Sequence, residues 1–184
     1  PVYILGAMWG TMYLEQAHGL SRTESSYVTS MIFVGMIFGS PFMGWLSDKM
    51  GLRKKPMIIF GLVSVIPFVF LLLLPQQGLL SLMFIFFSIG FLIGVQVIGY
   101  PLVSESNPKE LNATAQGLVS TMVIIGGLTQ SLFGKLMSLN WDQKILSGIP
   151  IYSVDDFNLA ILIMPVAMIV AVFISFFMKE TYCK

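Results

Sequence analysis

Charge is what this sequence has least of. Acidic and basic residues make up 10% of its 184 positions, against about 25% in an ordinary soluble domain. They are also confined: none falls within 1–14, 25–47, 56–104, 111–134 or 157–178. A water-facing surface cannot be built from so few charges in so few places, which excludes a soluble globular domain. The one cysteine, Cys183, excludes an internal disulfide framework and any Cys-based zinc site. A net charge of +1 says nothing about partners by itself; a nucleic-acid binder would show a basic face, and no nucleic-acid partner is expected. Residues 1–14 lack a basic leader and a small-residue cleavage site, so no cleavable signal peptide is expected there. No metal or cofactor is expected either.

What the chain has instead is apolar length. Hydrophobic residues reach 56% and mean hydropathy is +0.86. A membrane-spanning helix needs roughly 20 apolar residues. The stretch 56–104 is too long for one and breaks at the turn signal Pro75-Gln-Gln-Gly78. Six spans follow, at about 1–17, 25–46, 56–74, 79–103, 110–134 and 157–178. Continuous runs without alternation argue for helices over a barrel. The lipid bilayer is thus the first partner. The opening run is short and already apolar at Pro1, which reads as a cut inside a longer protein.

Basic residues set the orientation. Lys49, Arg53, Lys54, Lys55, Lys109, Lys179 and Lys184 gather on one side, and only Arg22, Lys135 and Lys144 on the other. Both ends of the chain are therefore expected in the cytoplasm. Asn107-Pro108-Lys109-Glu110 reads as the start of the fifth span. Asp155 and Asp156 read as capping acids of the sixth.

The loop after the second span carries the most chemistry: Gly44-Trp-Leu46-Ser47-Asp48-Lys49-Met-Gly51-Leu52-Arg53-Lys54-Lys55-Pro56. Asp48 closes a helix whose C-terminal dipole disfavours a carboxylate. A cation or another helix's N-terminus must hold it. Gly44 would admit a neighbouring helix closely, and Gly51 suits a tight reversal.

This loop resembles the signature of the major facilitator superfamily, Gly-x-Leu-Ala-Asp-Arg-x-Gly-Arg-Lys-x-x-Leu, found between the second and third helices of a six-helix half. Gly44, Leu46, Asp48 and Gly51 match; Ser47, Lys49 and Arg53 match conservatively; Leu52 and Pro56 depart. The resemblance implies an all-α integral membrane fold, one half of a twelve-helix transporter, with an inverted three-plus-three repeat. It implies that Gly44, Asp48, Lys49, Gly51 and Arg53 form a cytoplasmic gating latch, weakened by Leu52. The polar tail 179–184, the absence of an arginine in span four and Ser104-Glu-Ser-Asn-Pro108 point to the C-terminal half. The missing partner is then the N-terminal six-helix half of the same protein. More loosely, the pattern is similar to amino-acid and sugar importers of intracellular bacteria, in an inner (plasma) membrane. Gly6-x-x-x-Gly10 and Gly90-x-x-x-Gly94 are faint traces of the repeat, and Gly35-x-x-x-Gly39 adds a third candidate packing face.

Polar residues at membrane depth are the candidate contacts for a small-molecule substrate. They are Trp9 and Tyr13 with Gln16 on one face, Gln96 and Tyr100 on another, and Gln130 with Thr121 and Thr129 in span five. In the family, helices one, two, four and five line the cavity while three and six face outward. The absence of mid-depth charge suits a small neutral or zwitterionic solute, amino acid or sugar-like, moved by secondary active transport. A proton is the expected coupling ion. Rival classes fare worse. His18, in a loop beside Gly19, is expected to be solvent-exposed and leaves an intramembrane serine protease without its base, and no other enzyme is expected. A six-span channel would carry paired Asn-Pro-Ala turns. Thr129 occupies the first glycine position of the nearest phosphate-loop match. A non-transporting structural or assembly subunit is the remaining alternative.

Overall fold

The computed structural model describes residues 1–74, 77–139, 141–146 and 149–181. A π turn, Val2–Gly6, leads into α1 (Gly10–His18). Five longer helices follow: α2 (Arg22–Met50), α3 (Lys54–Leu73), α4 (Leu79–Ser106), α5 (Lys109–Ser138) and α6 (Val154–Ser175). Each of these five is long and apolar enough to cross a membrane. A small antiparallel hairpin, β1 (Ile145–Leu146) with β2 (Ile149–Pro150), lies between α5 and α6.

α2 and α5 run past their charge-free stretches at both ends, because a charge marks the membrane surface and not the end of the hydrogen-bond ladder. Ser21 starts α2 by a reciprocal box: its hydroxyl accepts from the Glu24 amide at 3.3 Å, and its own amide donates to Glu24 at 2.9 Å. Gly51, at φ 65°, ends the same helix in the left-handed conformation that glycine adopts without penalty. Ser153 and Asp156 form the same box at α6, with Asp155 in the first turn, as the acids there suggested.

Two local expectations are corrected. Asn107 does not cap α5. The proline after it holds it extended, and its amide donates back to the Val103 carbonyl at 2.8 Å, closing α4. Residues 1–17 are not one regular helix either. The ladder widens at Ala7–Trp9, where the Trp9 amide bonds to the Ile4 carbonyl at 2.7 Å. Gly10 permits this, since a methyl there would run into the Leu5 carbonyl and lie 2.8 Å from a Thr29 methyl. Pro75 and Gln76 of the expected reversal, like Tyr182, Cys183 and Lys184, lie outside the described residues.

The tightest packing is between α2 and α4. A methyl at Gly35 would meet the Phe87 carbonyl, one at Gly39 the Phe91 carbonyl and one at Gly90 the Ile32 carbonyl. One at Gly94 would stand 2.7 Å from the Gly39 carbonyl carbon. Two of the three glycine faces expected from sequence are therefore each other's partners, in backbone-to-backbone contact. The apolar core fills the end of the bundle nearest the α1–α2 connection, with Leu14, Ile32, Phe68, Phe86, Phe133 and Phe157 fully buried. At the opposite end packing is looser, and the Asn112–Ile125 part of α5 buries no residue.

Gly90→Val is expected to destabilise the fold by more than about 3 kcal/mol, since backbone blocks the added atoms. Gly44→Ala, whose methyl meets nothing within 4 Å among the described residues, should be neutral or stabilising by up to about 1 kcal/mol. Unfolding midpoints in detergent measure both, and a tolerated Gly90→Val would contradict the crossing.

Candidate functional site

Two polar features stand out in this apolar molecule. The first is built by the reversal after α2. Gly51 turns the chain, and Arg53 folds back beneath the helix end, only 7% exposed. Its Nη1 donates to Asp48 Oδ1 at 2.6 Å and to Ser47 Oγ at 3.1 Å. Its Nη2 donates to Glu105 Oε1 at 2.7 Å, and its Nε reaches both Glu105 oxygens at 3.2 and 3.3 Å. The cation required to hold Asp48 at a helix C-terminus is thus Arg53, five residues on. The planar guanidinium fork makes all five of these contacts at once, more than the three donors of a lysine could.

The same corner ties in α3 and α6. Glu180 Oε1 accepts from the Arg53 and Lys54 amides at 2.7 and 3.0 Å, placing a carboxylate at the positive start of α3. Lys54 Nζ in turn donates to the Phe176 carbonyl at the end of α6, at 2.7 Å. Thr181 Oγ1 donates to Glu105 Oε2 at 2.7 Å. Sequence reading missed Glu105 and Glu180. Their only local signal is a charge beside a helix end, and their partners are far along the chain. Lys49 takes no part in the Arg53 cluster: its ammonium lies 5.0 Å from the Trp45 ring centroid.

The second feature is a cavity of about 370 Å³ between the π turn, α2, α4, α5 and α6. Its apolar wall includes Met36, Ile93, Met122 and Met164, and Gln96 and Thr129 supply polar groups. Among the described residues, no charged side chain lines it. Gln96 sits where α4 tightens to a 3-10 turn over Gly94–Ile98, a local irregularity that often marks function. It is exposed, and among the described residues its amide has no hydrogen-bond partner.

The other sequence candidates do not line this cavity. Tyr13 is 2% exposed in the apolar core, with its hydroxyl 2.9 Å from His18 Nε2. His18 is therefore half-buried and engaged, not a free loop residue. Trp9 packs its ring 5.7 Å from that of Phe133. Gln130 donates to the Tyr3 carbonyl at 3.0 Å, and the Tyr100 carbonyl accepts from Gln116 at 2.8 Å. Ile163, Met164 and Ala167 bring α6 into the lining, where the resemblance placed that helix outside. Among the described residues, no three His, Cys, Asp or Glu side chains are placed to hold a metal ion.

A helical membrane bundle with a charged corner at one end and an uncharged cavity within is the class this geometry defines. The profile of the Major Facilitator Superfamily matches residues 2–182, and the chain belongs to that family, whose members are transporters and not enzymes. It is 28% identical over 160 residues to a "Putative metabolite transport protein" of Haemophilus influenzae, covering 86% of this chain and 39% of that protein. It is 28% identical to the "Membrane sensor protein UhpC" of Escherichia coli, covering 68% of this chain and 30% of UhpC. It is 24% identical to the "Probable galactarate/D-glucarate transporter GudP" of the same organism, covering 65% and 28%. The chain thus spans two fifths or less of the length of these relatives.

Arg53→Met should lower stability by about 2–3 kcal/mol, below the 3–5 of a fully buried pair because Glu105 is 26% exposed. Arg53→Lys should recover less than half of that. Chemical unfolding of the reconstituted protein measures it, and equal stability of all three forms would remove the junction's structural role.

Proposed function

We propose that the chain is the C-terminal six-helix half of a secondary transporter, with the π turn and α1 together as its first span and an inverted three-plus-three repeat. The transporter moves a small neutral or zwitterionic solute by alternating access. The observation that carries this reading is Gln96: a carboxamide inside a membrane helix, facing a cavity, with its donors and acceptor unpaired. Leaving such a group unsatisfied in lipid costs several kcal/mol, so water, solute or a polar group of the other half meets it. The uncharged lining favours a neutral or zwitterionic solute over a dianion of the kind named for GudP.

The family signature adds a latch. Asp48, 65% exposed at its side chain while bound to Arg53, keeps acceptor capacity for the N-terminal half. Both chain ends are read as cytoplasmic, the membrane as a bacterial inner membrane and a proton as the coupling ion, with the titrating group in the other half. The relative named as a sensor makes a non-transporting receptor the second reading.

The test is accumulation of labelled neutral amino acids, hexoses and sugar diacids by the full-length protein in proteoliposomes with an imposed proton gradient. Accumulation of a neutral or zwitterionic solute is expected. Gln96→Ala should raise KM at least tenfold, and Asp48→Ala should lower turnover at least tenfold while leaving KM within threefold. Binding without accumulation across the panel would favour the sensor reading, and preference for the diacids would overturn the solute class.

A further inference from the structure

Methionines from three different helices line the cavity: Met36 of α2, Met122 of α5 and Met164 of α6. Ile93, one turn before Gln96 on α4, extends the same wall. A thioether on an unbranched, flexible chain moulds itself to aliphatic groups and is attracted to aromatic ring edges. Part of this wall is also unpacked. Met122 is 66% exposed, in the stretch of α5 that buries no residue, so it can move onto a ligand without loss of core packing.

Polar capacity is small by comparison. Among the described residues that line the cavity, the polar side chains are those of Tyr3, Gln96 and Thr129. Thr129 commits its proton to its own helix, donating to the Gly126 carbonyl at 2.5 Å. Gln96 keeps a donor and an acceptor side by side, which matches the carboxylate and ammonium of one α-amino acid. A hexose is the poorer fit. It turns hydroxyls in every direction, and those set against the methionines would lose water without gaining a partner.

Taking the cavity as the solute site proposed above, on which this inference rests, we propose that the solute is an α-amino acid with a large apolar side chain. Gln96 meets its head group, and Met36, Met122, Met164 and Ile93 enclose the side chain. The wall selects for apolar bulk, since each methylene it shields from water strengthens binding roughly fourfold. Methionine, leucine and phenylalanine are preferred over glycine, alanine and hexoses.

Displacement of labelled L-methionine from the purified full-length protein in detergent tests the solute class separately from transport. Leucine and phenylalanine should displace the label at concentrations at least tenfold lower than alanine, and glucose should not displace it at a hundredfold excess over leucine. Met122→Ser, at an exposed position, should weaken leucine at least fivefold and alanine less than twofold. Met36→Ala should change the leucine-to-alanine ratio in the same direction, and it decides the point if Met122→Ser lowers the unfolding midpoint. Absence of methionine binding, or equal displacement by leucine and alanine, would overturn the class. So would displacement by glucose as effective as by leucine, or an unchanged leucine-to-alanine ratio in both variants. This ranking without accumulation in proteoliposomes would support the class and overturn the transport reading. Accumulation of a hexose in preference to leucine would leave transport standing and overturn the class.

Discussion

Lipid tails are as apolar as leucine, so helices inside a membrane gain little from hiding hydrophobic surface from one another. They must meet by fit. In this protein the fit is the contact of α2 with α4, where Gly35, Gly39, Gly90 and Gly94 let two backbones touch. The other elements are arranged around that crossing. Residues of α1 and α6 join the apolar core on one side of it, Phe68 of α3 packs into the same core, and α4 presents Gln96 just beyond Gly94. The crossing thus fixes the wall from which the cavity is read.

Polar groups in such a molecule divide into two kinds by whether they are satisfied. Those of the Arg53 corner have partners: one guanidinium serves two carboxylates, and Glu180 and Lys54 each close the end of the other's helix. Such a network holds four helix ends in one arrangement. Gln96 is the opposite case, with its hydrogen-bonding groups turned into a cavity and unmet. Structure explains the first kind completely. The second kind is open to water or to a group from outside this chain.

The legible part of the fold follows from these physical rules. The charge gaps gave the five long helices within a few residues, because burying a charge in lipid is costly wherever it occurs. The Asp48 loop was legible because a carboxylate at a helix C-terminus demands an explanation. The kink at Ala7–Trp9 was not, since its cause is a contact between Gly10 and the carbonyl of Leu5, invisible in hydropathy. Glu105 and Glu180 were missed because ion pairs across distant segments leave no spacing to read. Tyr13 and Gln96 look alike as polar residues at depth. Only packing separates the one buried against Phe157 from the one facing space.

The central claim is that Gln96 faces an aqueous, solute-accessible cavity and not lipid. The direct measurement is labelling of Gln96→Cys by a charged, membrane-impermeant thiol reagent in the reconstituted full-length protein, compared with Phe84→Cys on the 70%-exposed apolar surface of the same helix. The account predicts that position 96 is modified and position 84 is not. Equal resistance at both positions would contradict it.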